Sequence, residues 1–284
     1  MKELRGKAVS DAIGAEVRQR AAKAEAELGR KPKLLIVRCG EKPSDISYER
    51  SAVKKAKAFG LDAEAEVFPE KVGETEFLRR FAELNADRGV DGILLLRPLP
   101  PQINEGFVLS SMDSQKDIDG AGPVSAAGLY LGAEGFAPCT AEAVMELLRF
   151  YEIPVEGKEV VILGRSEVVG KPLALLMLAA HATVTVCHSR TKNLREICRR
   201  ADILVPAIGK PRFVTGDFLK EGAVIVDVGM NEDENGALCG DADHESCSKK
   251  AAALAPVPGG LGAVTTAVLM RHVLEAAENN QFLL

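Results

Sequence analysis

Two hydrophobic patterns alternate along this chain. Short continuous apolar runs read as strands buried on both faces, and stretches with a 3.6-residue apolar spacing read as amphipathic helices. The spacing predicts a helix over 9–28, marked by Ile13, Val17 and Leu28, then a strand over 33–37 and a loop over 38–46. Ser47 is a candidate N-cap for a helix to about 59, which Gly60 stops. A strand at 63–68, a helix at 75–88 and a strand at 92–96 follow, and Arg97-Pro98-Leu99-Pro100-Pro101 breaks the chain. The polar stretch with KDIDG at 116–120, and the small residues up to Ala137, predict irregular structure facing a cleft. Cys139-Thr140 then caps a helix over 141–151. Strands at 160–163, 183–187, 203–208 and 223–228, with helices at 168–180 and 194–199, repeat the alternation. Strands that alternate with helices imply parallel sheets with helices on their faces. The fold class is therefore α/β in two domains, a three-layer domain over 1–138 and a Rossmann-like domain over 139–284. The last helix, about 262–279, is expected to pack back on the first domain. Pro206 is awkward inside a strand, because proline cannot donate to a central ladder.

Composition narrows the function. At 284 residues, 46% hydrophobic and 27% charged, the chain has room for two ordinary globular domains. A net charge of −5 with only 5% aromatic residues argues against a nucleic-acid surface, which wants a basic face and rings for stacking. The charged, helical-looking N-terminus lacks the apolar core of a signal peptide, and no run approaches a membrane span. A cytoplasmic protein without membrane partners is expected. Six cysteines stand scattered without a C-x-x-C pair and four histidines show no ligand spacing, so reduced thiols and no metal site are expected.

Candidate chemistry centres on VVILGRSEVVGKP at 160–172. A buried strand feeding a helix through Gly164 and Gly170 is the setting of an anion site, since N–H groups and the helix dipole there favour a phosphate. Pro172 suits a first helical turn. The G-x-S-x-x-x-G-x-P spacing departs from G-x-G-x-x-G, because Ser166 stands at the second glycine. At the end of the second strand, where an acid would select NAD, the sequence is Cys187-His188-Ser189-Arg190-Thr191. A hydroxyl and a guanidinium there, with Arg165 from the first turn, fit a ribose 2′-phosphate and favour NADP.

With GRSEVVGKP and CHSRTKNLR, the strings KDIDG, IGKP at 208–211, VDVGMN at 226–231 and PVPGGLG at 256–262 resemble the bifunctional methylenetetrahydrofolate dehydrogenase/cyclohydrolase family over essentially the whole chain. The resemblance implies a folate cleft between a catalytic N-terminal domain and an NADP-binding one, in a cytoplasmic homodimer of one-carbon metabolism acting on tetrahydrofolate derivatives. It also implies cofactor contacts at Gly164, Arg165, Ser166, Ser189 and Met230, and substrate contacts at Tyr48, Asp119, Pro258, Gly259 and Gly260. Tyr48 offers a ring and hydroxyl to a flat pterin-like ring, and Asp119 an acceptor for its N–H donors. These two are the candidate catalytic pair.

Two positions depart from the family pattern. Where the family carries a lysine four residues after the tyrosine, this chain has Ala52; where it carries a glutamine ahead of PLP, this chain has Leu96. Lys55 lies on the same helical face as Tyr48, and Arg97 is expected to point to the other side of its strand. Hydride transfer needs positioning, whereas hydrolysis of a methenyl cation needs activated water and a moved proton. The expectation is an NADP-dependent dehydrogenase whose cyclohydrolase step is lost or much reduced. The alternatives are a full bifunctional enzyme using a substitute lysine, a weak or inactive dehydrogenase if the missing pair also orients its substrate, a non-catalytic NADP- or folate-binding relative, and a different NADP dehydrogenase.

Overall fold

The computed structural model describes residues 1–133 and 135–280. In chain order the first half runs β1 (Lys2–Glu3), α1 (Gly6–Leu28), β2 (Lys33–Cys39), α2 (Pro43–Ala58), β3 (Asp62–Phe68), α3 (Glu74–Ala86) and β4 (Gly92–Leu95). Next come α4 (Glu105–Ser111), α5 (Pro123–Leu131), α6 (Cys139–Phe150), β5 (Glu159–Leu163), α7 (Gly170–Ala179), β6 (Thr183–Cys187), α8 (Leu194–Cys198) and β7 (Ile203–Pro206). The chain continues through β8 (Val224–Val226), β9 (Asn231–Glu232), β10 (Leu238–Cys239), α9 (His244–Ser248), β11 (Ala253–Ala255) and α10 (Gly262–Asn280).

These elements form two compact units that no single cut in the chain separates. One comprises Met1–Asp11 with Thr140–Thr265, the other Ala12–Cys139 with the described residues from Thr266 onward. The N-terminus was expected to be helical in the first domain; instead Lys2 and Glu3 pair in parallel with Ala253 and Leu254 of β11, which ties them to the dinucleotide-type sheet. Two-residue and three-residue strands leave too short a pattern to read.

The first unit holds a six-stranded parallel sheet in the order β1-β11-β8-β7-β5-β6. Val160 to Leu163 of β5 are all buried, as a central strand requires. One side of the core gathers Val161, Leu163, Leu204, Ile225 and Leu254 with Cys187, Cys198 and Cys247. Pro206 ends β7 opposite Leu163. Ala207 N–H donates to the Leu163 carbonyl, so by strand alternation the side where Pro206 lacks a donor faces β8, whose register with β7 ends at Leu204 and Ile225. The Pro206 carbonyl still accepts the Val228 N–H at 3.0 Å, so the β7–β8 register stops at the proline for want of its N–H.

The second unit is built on a three-stranded parallel sheet, β3-β2-β4. Helix α3 buries Phe77, Phe81 and Leu84, spaced four and three apart, and stacks the two phenyl rings 5.9 Å apart at 10°. Helix α2 begins at Pro43, four residues before the expected cap at Ser47, since proline at the first helical position fits the turn without losing a bond. The stretch expected to be irregular up to Ala137 contains α4 and α5; Glu134 lies outside the described residues. Helix α5 starts with Pro123 at its first position, and buried Asp117 fixes the approach to it by accepting from the N–H groups of Ala121 (2.9 Å) and Gly122 (2.8 Å) and from the Ser125 hydroxyl at 2.5 Å. No helix of the described residues is long and apolar enough to cross a membrane.

Candidate active site

In the first unit, β5 delivers the chain into a turn that only glycines allow. A Cβ on Gly164, whose φ is +124°, would stand 2.2 Å from the Ala207 carbonyl oxygen, and one on Gly170 would stand 2.2 Å from the Gly164 carbonyl oxygen. Ser166 fills the place of the second glycine with a cap. Its hydroxyl oxygen accepts from the N–H groups of Val169 (3.2 Å) and Gly170 (3.4 Å), and its carbonyl from Lys171 at 3.0 Å. Donors that a phosphate would take at the start of α7 are thus shared with Ser166.

Beside this turn lies a cavity of about 320 Å³ whose wall includes Gly164, Arg165, Ser189, His188, Ile208 and Lys210. Three of the expected cofactor residues, Gly164, Arg165 and Ser189, come together there. Ser166 and Gly170 build the turn and do not line the cavity. Arg190 is exposed, and its backbone N–H donates to His188 Nδ1 at 3.2 Å, so a neutral His188 ring carries its proton on Nε2. Met230 is 69% exposed and outside the cavity. Sequence reasoning passed over His188 and Lys210, although both stand in strings it quoted. No spacing in the sequence distinguishes the imidazole from its neighbours Ser189 and Arg190, and a lysine after a glycine reads as a solvated turn. The donor set of Arg165, Ser189 and Lys210, with no acid at the end of β6, suits a phosphorylated ribose.

In the same unit, the loop after β11 carries Pro258, Gly259 and Gly260. Gly6 N–H donates to the Gly259 carbonyl at 3.0 Å, and a Cβ on Gly6 would stand 1.8 Å from the Gly260 carbonyl oxygen, so α1 begins in backbone contact with this loop.

In the second unit, the residues of KDIDG divide their tasks. Lys116 donates to the carbonyls of Asn85 and Asp87, each at 2.7 Å, and Asp117 holds the backbone that leads into α5. Asp119 is left to carry chemistry. Its carboxyl is pushed up to about 6, chiefly by burial; Cys139, which hydrogen-bonds to it, and the charges of Arg97 and His272 pull the other way. The Cys139 sulfur lies 3.3 Å from the Ile118 carbonyl and 3.5 Å from His272 Nδ1, which stands 2.8 Å from the same carbonyl. Tyr48, on α2, is 37% exposed overall while its hydroxyl end is enclosed. That phenol is held above its ordinary range by burial first, then by the negative charge of Asp119. The expected pair is therefore electrostatically joined.

The departures are as plain in space. Ala52, one turn after Tyr48, has no exposed surface, and half-buried Leu96 spends its N–H on the Val37 carbonyl at 2.8 Å. Lys55 lies over the Phe59 ring, 5.8 Å from its centroid. Arg97 does not follow the expected alternation, because β4 ends at Leu95; its guanidinium stands 3.5 Å from Glu105 and its charge acts on Asp119. Among the described residues no group of three His, Cys, Asp or Glu could hold a metal ion.

Comparison with known proteins accounts for both units. Residues 4–119 match the tetrahydrofolate dehydrogenase/cyclohydrolase catalytic domain, and residues 138–281 match the NAD(P)-binding domain of the same family. The chain is 47% identical over 274 residues to the bifunctional protein FolD of Alkaliphilus oremlandii, covering 96% of each. Its structure superposes on the bifunctional FolD of Campylobacter jejuni with a TM-score of 0.96 at 39% identity, covering 99% of both chains. It superposes on the Trypanosoma brucei enzyme complexed with NADP cofactor and inhibitor with a TM-score of 0.91 at 36% identity, covering 97% of both. With both halves matched, and with such relatives over nearly its whole length, the chain belongs to the tetrahydrofolate dehydrogenase/cyclohydrolase family.

Proposed function

We propose that this protein is an NADP-dependent methylenetetrahydrofolate dehydrogenase of one-carbon metabolism, one that makes methenyltetrahydrofolate and does not itself hydrolyse it. The observation that carries this reading is an intact Tyr48–Asp119 pair beside a buried Ala52 and an apolar Leu96, in a chain that keeps its dinucleotide cavity. Gly164, Arg165, Ser189 and Lys210 would hold NADP, which would supply the hydride acceptor. The methylene carbon loses that hydride while the lone pairs of its two nitrogens take up the positive charge, so this step asks the protein for positioning and for no proton. Tyr48 packs a ring and a hydroxyl against the folate, and ionised Asp119 accepts the N–H donors of its ring. Hydrolysis of the methenyl cation asks for activated water and a transferred proton, which alanine and leucine do not supply.

Assaying both activities on the purified protein, with NADPH and methenyltetrahydrofolate followed separately, tests the proposal. The two products should rise together and the methenyl compound persist. Its removal faster than the spontaneous rate would restore a full bifunctional enzyme. Folate binding with no NADPH formed would leave a non-catalytic relative.

A cytoplasmic homodimer completes the proposal. The described cysteines are all unbridged, as a reducing compartment keeps them, and β3 leaves one long side of its sheet without a partner strand among the described residues.

A further inference from the structure

Asp241 has no exposed surface, yet nothing in the proposed reaction uses it. The hairpin of β9 and β10 returns the chain after β8 so that this carboxylate lies under the turn following β7. One of its oxygens accepts from the N–H groups of Ile208 at 2.6 Å and Gly209 at 3.1 Å. The other accepts from Lys210 N–H at 2.7 Å and from the side-chain amide of Asn231 at 2.9 Å. Three successive backbone N–H groups thus converge on one anion, the arrangement by which such a concavity binds a phosphate. Here the anion belongs to the chain. It is itself held from below, since Asp241 N–H donates at 3.1 Å to Asp227, another buried carboxylate, which also accepts from Ala242 (2.8 Å) and Gly229 (2.9 Å). The fit is close, as a Cβ on Gly229 would stand 2.4 Å from the Asp241 carboxylate.

The turn fixed in this way is a wall of the cofactor cavity, where Ile208 and Lys210 line it. Because its N–H groups are spent on Asp241, the turn cannot offer them to a ligand phosphate, and the Lys210 ammonium remains its cation. We propose that Asp241 is a positioning residue, a built-in anion that holds the 208–210 turn in its binding shape, so that NADP affinity depends on it and turnover at saturation does not. The inference rests on the assignment of this cavity to NADP.

The test compares Asp241→Asn with the unaltered full-length protein by titration of NADP and, separately, of tetrahydrofolate, and by the split between kcat and KM. Asparagine keeps the shape but turns an NH₂ toward backbone donors. Hydrogen bonds to a charged group at this site imply a rise of roughly tenfold in the NADP Kd and KM, with kcat at saturation and the tetrahydrofolate Kd each within about twofold. An NADP Kd raised less than about threefold, or an equal weakening of both ligands, would overturn the proposal, the second because it marks a merely structural carboxylate. If Asp241→Asn does not fold, Asn231→Ala removes one of the four bonds and leaves the anion in place. It should raise the NADP Kd by about twofold or more without moving tetrahydrofolate, and no rise would again be fatal. Arg165→Ala is run beside them. Unchanged NADP affinity there would put the cofactor outside this cavity and overturn assignment and inference together, whereas unchanged affinity in the Asp241 variant alone overturns only the role of the turn.

Discussion

At the scale of single residues, charge state decides what Asp119 can do. Its carboxyl titrates near 6 in the folded chain against an ordinary 3.8, so in that interval the folded state holds more protons than the unfolded one. Stability from this group is therefore fully present below about pH 4 and lost as pH rises through about 6, the reverse of a salt-bridged acid. Asp119→Asn should raise the melting temperature of the ligand-free protein at neutral pH and change it little near pH 4, a comparison made by thermal melts at the two ends of that window. The same substitution should weaken folate binding by roughly 1.5 to 3 kcal/mol, and in the unaltered protein folate affinity should fall as pH drops below about 6. A flat folate Kd across that range would remove Asp119 from the site. Arg165 and Arg190 divide differently than their sequence positions imply. Arg165 lines the cavity and Arg190 is exposed, so Arg165→Ala should cost NADP about tenfold or more in affinity and lower its advantage over NAD. Arg190→Ala should do less, and titration of both cofactors against both variants checks the order.

At the scale of elements, the turn between β5 and α7 has no room for a methyl group. Gly170→Ala would press a Cβ onto the Gly164 backbone, which cannot move without shifting the Ala207 contact. It should cost ~1–3 kcal/mol of stability and disturb the cavity, seen as a lower melting temperature together with weaker NADP binding. Helix α2 and the end of β4 carry the missing pair. A lysine at Ala52 enters a closed space and needs a polar partner to stay there charged. Ala52→Lys with Leu96→Gln should therefore raise cyclohydrolase turnover more than the sum of the single changes, by about 10²-fold if the lysine acts as a general base. If the unaltered protein already hydrolyses methenyltetrahydrofolate and folded Lys55→Ala does not, a lysine three residues beyond Ala52 has taken the role.

For the whole molecule, the open side of β3 bears on assembly. Among the described residues its seven pair only with β2, and Val67 near its end is 46% exposed. An unpartnered parallel edge of this length invites a second copy. Sedimentation should show a dimer, and Val67→Lys should shift it toward monomer; a dimer unmoved by that change would place the contact elsewhere. Assembly of the chain into units was only partly legible. The alternation of runs announced two parallel sheets, because buried parallel strands must be continuously apolar. The membership of the first eleven residues was invisible, because a two-residue strand has no periodicity and gains its place only from β11, some 250 residues away.

The sequence by itself determined the α/β class, the glycine turn at Gly164 and Gly170, the family, and the absence of an acid that would select NAD, since each is a local pattern dictated by backbone geometry or residue type. It also marked Ala52 and Leu96 as departures. The tertiary structure alone decided which residues of a string bear chemistry. In KDIDG, Lys116 and Asp117 are spent on backbone partners and Asp119 is not held in that way. Ser166 turned out to be a cap, Arg97 came to act on Asp119, and Asp241 found its three N–H donors more than thirty residues back in the chain. Burial and hydrogen bonding between distant segments set those roles, and neither leaves a spacing in the sequence to be read.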